Sequence, residues 1–193
     1  MTIVELSEEA YASLPMHISA NSIYTLTRPD AMTLSLKKAP REPFAFDVAD
    51  EHPEAWKTFI TMRNFKMFGI YEENRLAAAM SLVHDNPSVR MLDGREDVLL
   101  VWDLRVHPDY QRKGYGKALI AHAENEAKTL GVKHLRIETQ NTNPNAVDFY
   151  SSMGFELAHI REHAYSGESL EDAGGENEIM LIFNKIMDIE NPS

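Results

Sequence analysis

Seven consecutive residues, Gln111-Arg112-Lys113-Gly114-Tyr115-Gly116-Lys117, carry the densest chemistry in the chain. Two glycines one residue apart admit positive φ and let a ligand come close to the main chain. If a helix starts here, its first N–H groups have no intrahelical acceptor and converge, an arrangement that binds anions. Arg112, Lys113 and Lys117 add positive charge in a chain with 19 Lys and Arg against 30 Asp and Glu. A phosphate or pyrophosphate is the ligand this chemistry suits. A tight strand-to-helix turn with solvated charges accounts for the glycines equally well. Two familiar phosphate motifs do not fit. A P-loop on Gly116-Lys117 needs glycine at 111 and a hydroxyl at 118, where Gln111 and Ala118 stand; a dinucleotide fingerprint needs glycine or alanine at 119, where Leu119 stands.

The elements that must position this loop follow from period and punctuation. Val98–Val106 is an almost continuous apolar run ended by Pro108, the pattern of a buried strand. Lys117–Leu130 sets Leu119, Ala123, Ala127 and Leu130 on one helical face, adds a Glu124–Lys128 pair and stops at Gly131. Val132–Thr139 alternates as a strand, and Asn143-Pro144 starts a short helix ending at Gly154. Phe155–Ala164 and Ile179–Ile186 read as a last pair of strands around an acidic loop, 166–177. Upstream, prolines 29, 40, 43 and 53 punctuate an irregular first quarter, with a short hairpin of Ile23–Thr27 and Thr33–Lys37 around Arg28-Pro29-Asp30. The spacing predicts a helix over Pro53–Phe65, with Asp50 or Glu51 near its start. Phe68–Tyr71 and Leu76–Val83 predict a hairpin joined at Glu72-Glu73-Asn74-Arg75, followed by a polar loop over 84–97. The C-terminal half is therefore β–α–β–α–β–β, an α/β pattern.

The 193 residues fit one domain, long enough to bury about 70% of its surface. The absence of cysteine excludes disulfides, thiolate metal ligation and a cysteine nucleophile. The formal net charge of −11 serves solubility, disfavours non-specific nucleic-acid binding and draws cationic ligands. No apolar run approaches the roughly 18 residues of a membrane helix. Glu5, Glu8 and Glu9 stand where a secretory signal needs positive charge, so the expected address is the cytoplasm.

WDLRVHPDYQRKGYGKALIAHAE resembles motif A of the GCN5-related N-acetyltransferase (GNAT) superfamily, and IETQNTNPNAVDFYSSMGFE resembles its motif B. Together they cover Val98 to about Glu156 in the family's order. A closer similarity is to streptothricin acetyltransferase-like members. Gly94-Arg95-Glu96-Asp97, the run Trp102 to Pro108 and Glu138-Thr139-Gln140-Asn141 carry it, extended by Arg161, Tyr165 and Glu178-Ile179. Leu181-Ile182-Phe183-Asn184 departs from the tryptophan-containing ending common in that group. The resemblance implies a GNAT fold, an α/β arrangement with a central, splayed, mostly antiparallel sheet flanked by helices. One domain would span 1–193, with the acceptor side in about 1–95 and the acetyl-CoA-binding core in about 98–156. Contacts to acetyl-CoA are implied at Leu104, Arg105, Val106, Gln111, Arg112, Lys113, Gly114, Tyr115, Gly116, Lys117, Asn143 and Phe149. Backbone N–H groups from Gln111 to Gly116 would cradle the pyrophosphate, and the backbone at Leu104 and Val106 would pair with the pantetheine arm. Tyr150 would direct its hydroxyl at the departing sulfur, and Asp103, Glu138 and Tyr165 would meet the acceptor.

Acyl transfer to an amine needs a neutral nucleophile, although a lysine-like amine has a pKa near ~10.4. It also needs donors for the developing oxyanion and a proton for the departing thiolate. Asp103, a carboxylate inside an apolar strand, has two readings: amine binding or proton relay, and an ion pair with Arg105 or Arg136. Glu138 is the second candidate, or an exposed cross-strand partner of a basic residue. Tyr150 donates a proton or simply packs, and Asn143 caps its helix whether or not it touches a ligand. His159-Ile160-Arg161-Glu162-His163 matches an inverted zinc-protease signature, but it falls on a predicted strand, where the two histidines cannot converge as on a helix. The expected activity is acetyl transfer from acetyl-CoA to a primary amine with both substrates bound together. The expected acceptor is a small cationic molecule such as a streptothricin-like antibiotic. Alternatives are a peptide or protein amine, and an acyl-CoA-binding module without turnover. No metal, nucleic acid or membrane partner is expected, and the chain would act as a monomer or homodimer.

Overall fold

The computed structural model describes residues 1–48, 51–162, 164 and 178–188. Asp50, His163, Tyr165 and 166–177, all invoked by the sequence reading, lie outside the described residues. In chain order the elements are β1 (Ile3–Glu5), α1 (Glu8–Ala12), β2 (Met16–Asp30), β3 (Thr33–Val48), α2 (Pro53–Trp56), β4 (Phe65–Glu72), β5 (Arg75–Val83), β6 (Val98–Val106), α3 (Tyr115–Leu130), β7 (His134–Gln140), α4 (Pro144–Ser152), β8 (Glu156–Glu162) and β9 (Ile179–Ile186). They divide into two compact bodies. The first comprises Met1–His17, Asp47–Ile137 and the chain from Asn184; the second comprises Ile18–Phe46 and Glu138–Phe183.

In the first body the strand order is β1-β4-β5-β6-β7. β1, β4, β5 and β6 pair antiparallel, and β6 pairs parallel with β7 from Val98↔His134 to Val101↔Ile137. The predicted β4–β5 hairpin is present, but β4 starts three residues before the expected Phe68, and Glu72 and Arg75, expected in the turn, belong to the strands. Its register closes at Glu72↔Arg75, leaving Glu73 and Asn74 at φ 47° and 68°, the left-handed pair that a type I′ turn requires. Adjacent β4 residues define the two faces of the sheet. Met67 joins a core of Tyr11, Leu14, Trp56, Ala79, Val83, Val98 and Leu100, so α1 and α2 cover that face. Phe68, one residue on, meets the His122 ring of α3 at 4.4 Å, so α3 covers the other. The result is a mixed α/β, mostly antiparallel sheet with helices on both faces.

α3 begins two residues before the predicted start, because Gly114, at φ 90°, turns the chain directly into the helix. Its buried face is Tyr115, Leu119, Ile120, Ala123 and Ala127; the predicted Leu130 is 37% exposed, as the last residue before the Gly131 cap. Glu124 bonds Lys185 Nζ at 2.7 Å instead of serving the expected pair with Lys128. The helix expected over Pro53–Phe65 is shorter still. α2 closes at Trp56, capped by His52 Nδ1, which accepts from Ala55 N at 3.3 Å. Backbone bonds carry the turn only to Ile60. Asn86 takes over there. Its Nδ2 donates to the carbonyls of Thr61 and Arg63, both at 2.8 Å, and Ser88 Oγ accepts from Thr61 N at 2.9 Å. Those groups are unavailable to a helix ladder, and Asn64 at φ 58° breaks it.

In the second body the order is β7-β9-β8, and β2 and β3 form a separate two-stranded ribbon. That ribbon replaces the expected irregular first quarter: the short hairpin grows to arms of 15 and 16 residues. Pro29, Pro40 and Pro43 are tolerated because a two-stranded ribbon leaves one edge of each strand unpaired. Thr25 Oγ1 and Thr27 Oγ1 donate across it to the carbonyls of Lys37 and Ser35, both at 3.1 Å. α4 starts at Asn143-Pro144 and its exit turns through Gly154, at φ 81°, as predicted. Among the described residues no helix is long and apolar enough to cross a membrane. Asn86 is 3% exposed and satisfies two carbonyls at once. Asn86→Ala is expected to cost about 2–3 kcal/mol in urea unfolding; a loss below about 1 kcal/mol would show that the Thr61–Asn64 turn holds itself.

Candidate active site

β6 carries one residue more than its partner. Ser81 pairs with Asp103 and Leu82 with Val101, so Trp102 sits in a bulge. Alternation alone would put Asp103 and Arg105 on the face opposite Val98, Leu100 and Trp102. The extra residue reverses the parity. Trp102 packs edge-on to Trp56 at 5.9 Å, and Asp103 and Arg105 reach Tyr11 on the same face. By the same alternation Leu104 and Val106 turn to the face of Leu99 and Val101, where both are half-buried.

Asp103 is enclosed. Its Oδ2 accepts from Tyr11 OH and from both Nε, at 2.8 Å, and Nη2 of Arg105. The Arg105 guanidinium also donates to the carbonyls of Leu14 at 2.7 Å and Glu51 at 2.9 Å, and lies 4.8 Å from the Tyr11 ring. The side chains of Asp103 and Arg105 are 2% and 3% exposed. Of the two pairings open in the sequence, the structure contains the one with Arg105; Arg136 instead bonds Asp93 at 2.7 Å and Asn184 at 3.0 Å. Burial, reinforced by the neighbouring Asp103 charge, pushes the Tyr11 hydroxyl well above its ordinary pKa, so it remains a donor. Asp103 Oδ1 and, on its register partner, Ser81 Oγ are buried without a hydrogen-bond partner among the described residues.

A single 3₁₀ turn, Pro108–Tyr110, leads from β6 into the glycine loop. Gln111, Arg112, Lys113 and Gly114 are exposed, and Gln111 Nε2 reaches back to the Val106 carbonyl at 3.5 Å. Arg112 and Gly114 stand at φ 65° and 90°. A Cβ on Gly114 would meet none of the described residues within 4 Å, which leaves the approach to the main chain open among them. The N–H groups of the first turn of α3 have no intrahelical acceptor. Tyr115 OH donates to Glu72 Oε2, tying the helix start to the β4–β5 hairpin; that hydrogen bond raises the Tyr115 pKa to about 12. Lys113 Nζ lies 4.7 Å and Arg75 Cζ 5.6 Å from the Tyr110 ring. An open, cationic, N–H-rich loop before a helix of 16 residues fits a diphosphate.

The remaining candidates belong to the second body. Glu138, on β7, is half-buried. Asn143 caps α4 by accepting from Ala146 N at 3.2 Å. Phe149 is half-buried; Tyr150 is 6% exposed among Phe149, Phe155 and Phe183, with ring centroids 5.6, 6.1 and 6.3 Å away. Both bodies thus present candidate groups, Asp103, Leu104–Val106 and Gln111–Lys117 in one, Glu138, Asn143, Phe149 and Tyr150 in the other. Sequence reasoning missed Tyr11, Glu51 and Glu72. The one usable signal was that a carboxylate within a buried strand must find donors.

The profile of the acetyltransferase (GNAT) family matches residues 31–155. The ribosomal protein bS18-alanine N-acetyltransferase of Escherichia coli (strain K12) is 38% identical over 78 residues, 40% of this chain and 53% of that protein. The chain therefore spans about half the length of the curated relative it matches. Among solved structures, nourseothricin acetyltransferase superposes with a TM-score of 0.76 at 21% identity, covering 96% of this chain and 97% of that one. An acetyltransferase of Bacillus anthracis str. Ames, assigned to streptothricin and solved in complex with acetyl coenzyme A, gives 0.71 at 19% identity, covering 96% and 99%. At these identities the likeness is one of fold.

Removing one partner of the Asp103–Arg105 pair leaves a charge uncompensated inside the protein. Asp103→Ala is expected to cost about 3–5 kcal/mol in denaturant unfolding. A cost under about 1 kcal/mol would mean that Arg105 is held by the Leu14 and Glu51 carbonyls alone.

Proposed function

The chain belongs to the acetyltransferase (GNAT) family, and on that premise we propose that it moves an acetyl group from acetyl-CoA to a primary amine on a small cationic molecule. The glycine loop carries the proposal: Gln111–Gly114 is exposed, Arg112, Lys113 and Lys117 make it cationic, and it leads into the start of α3. Bound there, acetyl-CoA supplies the activated acyl group as a thioester. The N–H groups from Gln111 to Gly116 hold the diphosphate, with Arg112, Lys113 and Lys117 adding charge. The backbone of Leu104 and Val106 aligns the pantetheine arm, and Asn143 and Phe149 line it. Tyr150 holds a proton for the departing thiolate. Glu138, less enclosed than Asp103, takes the amine proton directly or through water; Asp103, whose Oδ1 is buried, is the second candidate. Tyr165 contacts the acceptor. The protein works as one domain in the cytoplasm, without a metal, as a monomer or homodimer.

A small cationic acceptor agrees with the net charge of −11 and with the whole-chain likeness to nourseothricin acetyltransferase. A protein N-terminal amine is the second reading, favoured by the 38% identity with the bS18-alanine enzyme over 78 residues. The test is thiol release from acetyl-CoA with streptothricin, a polyamine and an alanine-started peptide as acceptors. Turnover is expected with the wild type, and Tyr150→Phe should lower kcat by about 10²-fold with the KM for acetyl-CoA little changed. Turnover that survives in Tyr150→Phe would move the proton to another group. A wild type that binds acetyl-CoA and acetylates none of the three would be a binding module instead.

A further inference from the structure

The β2–β3 ribbon is fastened to the chain segment that carries Tyr150. The Tyr24 backbone, in β2, is held twice by Asn141: its N–H donates to the Asn141 carbonyl at 3.0 Å, and the Asn141 side-chain Nδ2 donates to the Tyr24 carbonyl at 2.9 Å. Asn141 is 3% exposed and is itself fixed to β9, exchanging bonds with the Ile179 backbone at 2.8 and 3.1 Å. Along α4 the ribbon is fastened twice more. Asn145 Nδ2 donates to the Ser19 carbonyl at 2.8 Å. Asp148 accepts from Tyr24 OH at 2.7 Å through one oxygen and from Lys38 Nζ through the other. Lys38 also lies 5.9 Å from the Tyr24 ring, so the three side chains form one cluster bridging both arms of the ribbon to the helix.

α4 has nine residues, too few to hold its own conformation in water. Asp148 and Tyr150 are two residues apart, about 200° around a helix, so they lie on opposite sides of it. Tyr150 packs on Phe155 and Phe183 while Asp148 meets the ribbon. From this two-sided grip we infer that Asp148, through Tyr24 and Lys38, is a positioning residue that sets the orientation of α4 and so of the Tyr150 side chain. The inference rests on the proposed role of Tyr150. The cluster keeps its charge state at working pH. The hydrogen bond to Asp148 raises the Tyr24 hydroxyl to about 12; partial burial pushes the Asp148 carboxyl up, but Lys38 and Tyr24 hold it below its ordinary value.

The test compares Asp148→Asn, Tyr24→Phe and Asp148→Glu by amide exchange and by kinetics. In Asp148→Asn and Tyr24→Phe, amides of α4 should exchange about tenfold faster or more while those of α3 are unchanged. With whichever of streptothricin, the polyamine or the peptide the wild type accepts, kcat should fall about fivefold or more, with KM for acetyl-CoA within about twofold. Asp148→Glu, which keeps the acceptor, should restore both. Unchanged α4 exchange overturns the grip, and faster α4 exchange at unchanged kcat overturns the positioning role. If the wild type turns over none of the amines, it is the reading of Tyr150 that has failed, visible before any variant is made; the exchange data alone then decide the grip.

Discussion

The first body depends on where β6 gains a residue. Without the bulge at Trp102, Asp103 and Arg105 would lie on the α3 side, away from Tyr11 and Leu14. With it, one strand presents an aromatic, an acid and a base to the same face. The buried pair then has to be satisfied completely, because an enclosed charge with too few partners is costly. Arg105 meets that demand with the carbonyls of Leu14 and Glu51, which pins the segments around α1 and α2 to the centre of the sheet. The same parity change leaves Leu104 and Val106 half-buried on the other face, next to the turn into the glycine loop. A single insertion thus couples the packing of the N-terminal segments to the presentation of the strand that is proposed to meet acetyl-CoA.

Much of this was legible in the residues. β6, β9 and the β4–β5 turn follow directly from apolar runs, breakers and the Glu73-Asn74 pair, all local signals. α3 was legible from its apolar face and its Gly131 stop, while its start after Gly114 was missed by two residues. The exceptions are non-local. Helical spacing over Pro53–Phe65 was real, but Asn86, more than twenty residues downstream, captures the backbone that would have continued the helix. The ribbon was underestimated because its prolines look like breakers and its arms are only half-buried. Arg105 was one of the two partners open to Asp103 in the sequence, but its second donor was out of reach: Tyr11 is 92 positions away, and nothing local to the strand names it.

The candidate site shows the same division. The loop is legible because glycine spacing, charge and the start of a helix coincide within seven residues. Asn143 was legible as a cap, and the structure uses it as one. Tyr150 is enclosed by aromatic rings, which accommodates the packing reading the sequence held open; its proposed chemistry rests on the family resemblance. What sequence alone did not suggest is the dependence of α4 on the ribbon. Asn141 and Asp148 look like ordinary turn and helix-surface residues until the partner strands are in place.

The central claim is that the loop from Gln111 to Lys117 binds acetyl-CoA. The most direct measurement is the melting temperature of the protein with saturating acetyl-CoA, with ATP and NAD as controls. At a hundred times Kd a ligand adds about 2.7 kcal/mol, a rise of roughly 5–10 °C for a chain of this size. A rise with acetyl-CoA and none with ATP or NAD is the result this account predicts. No rise at millimolar acetyl-CoA, or an equal rise with all three, would contradict it and leave the glycine loop as a turn or a general anion site.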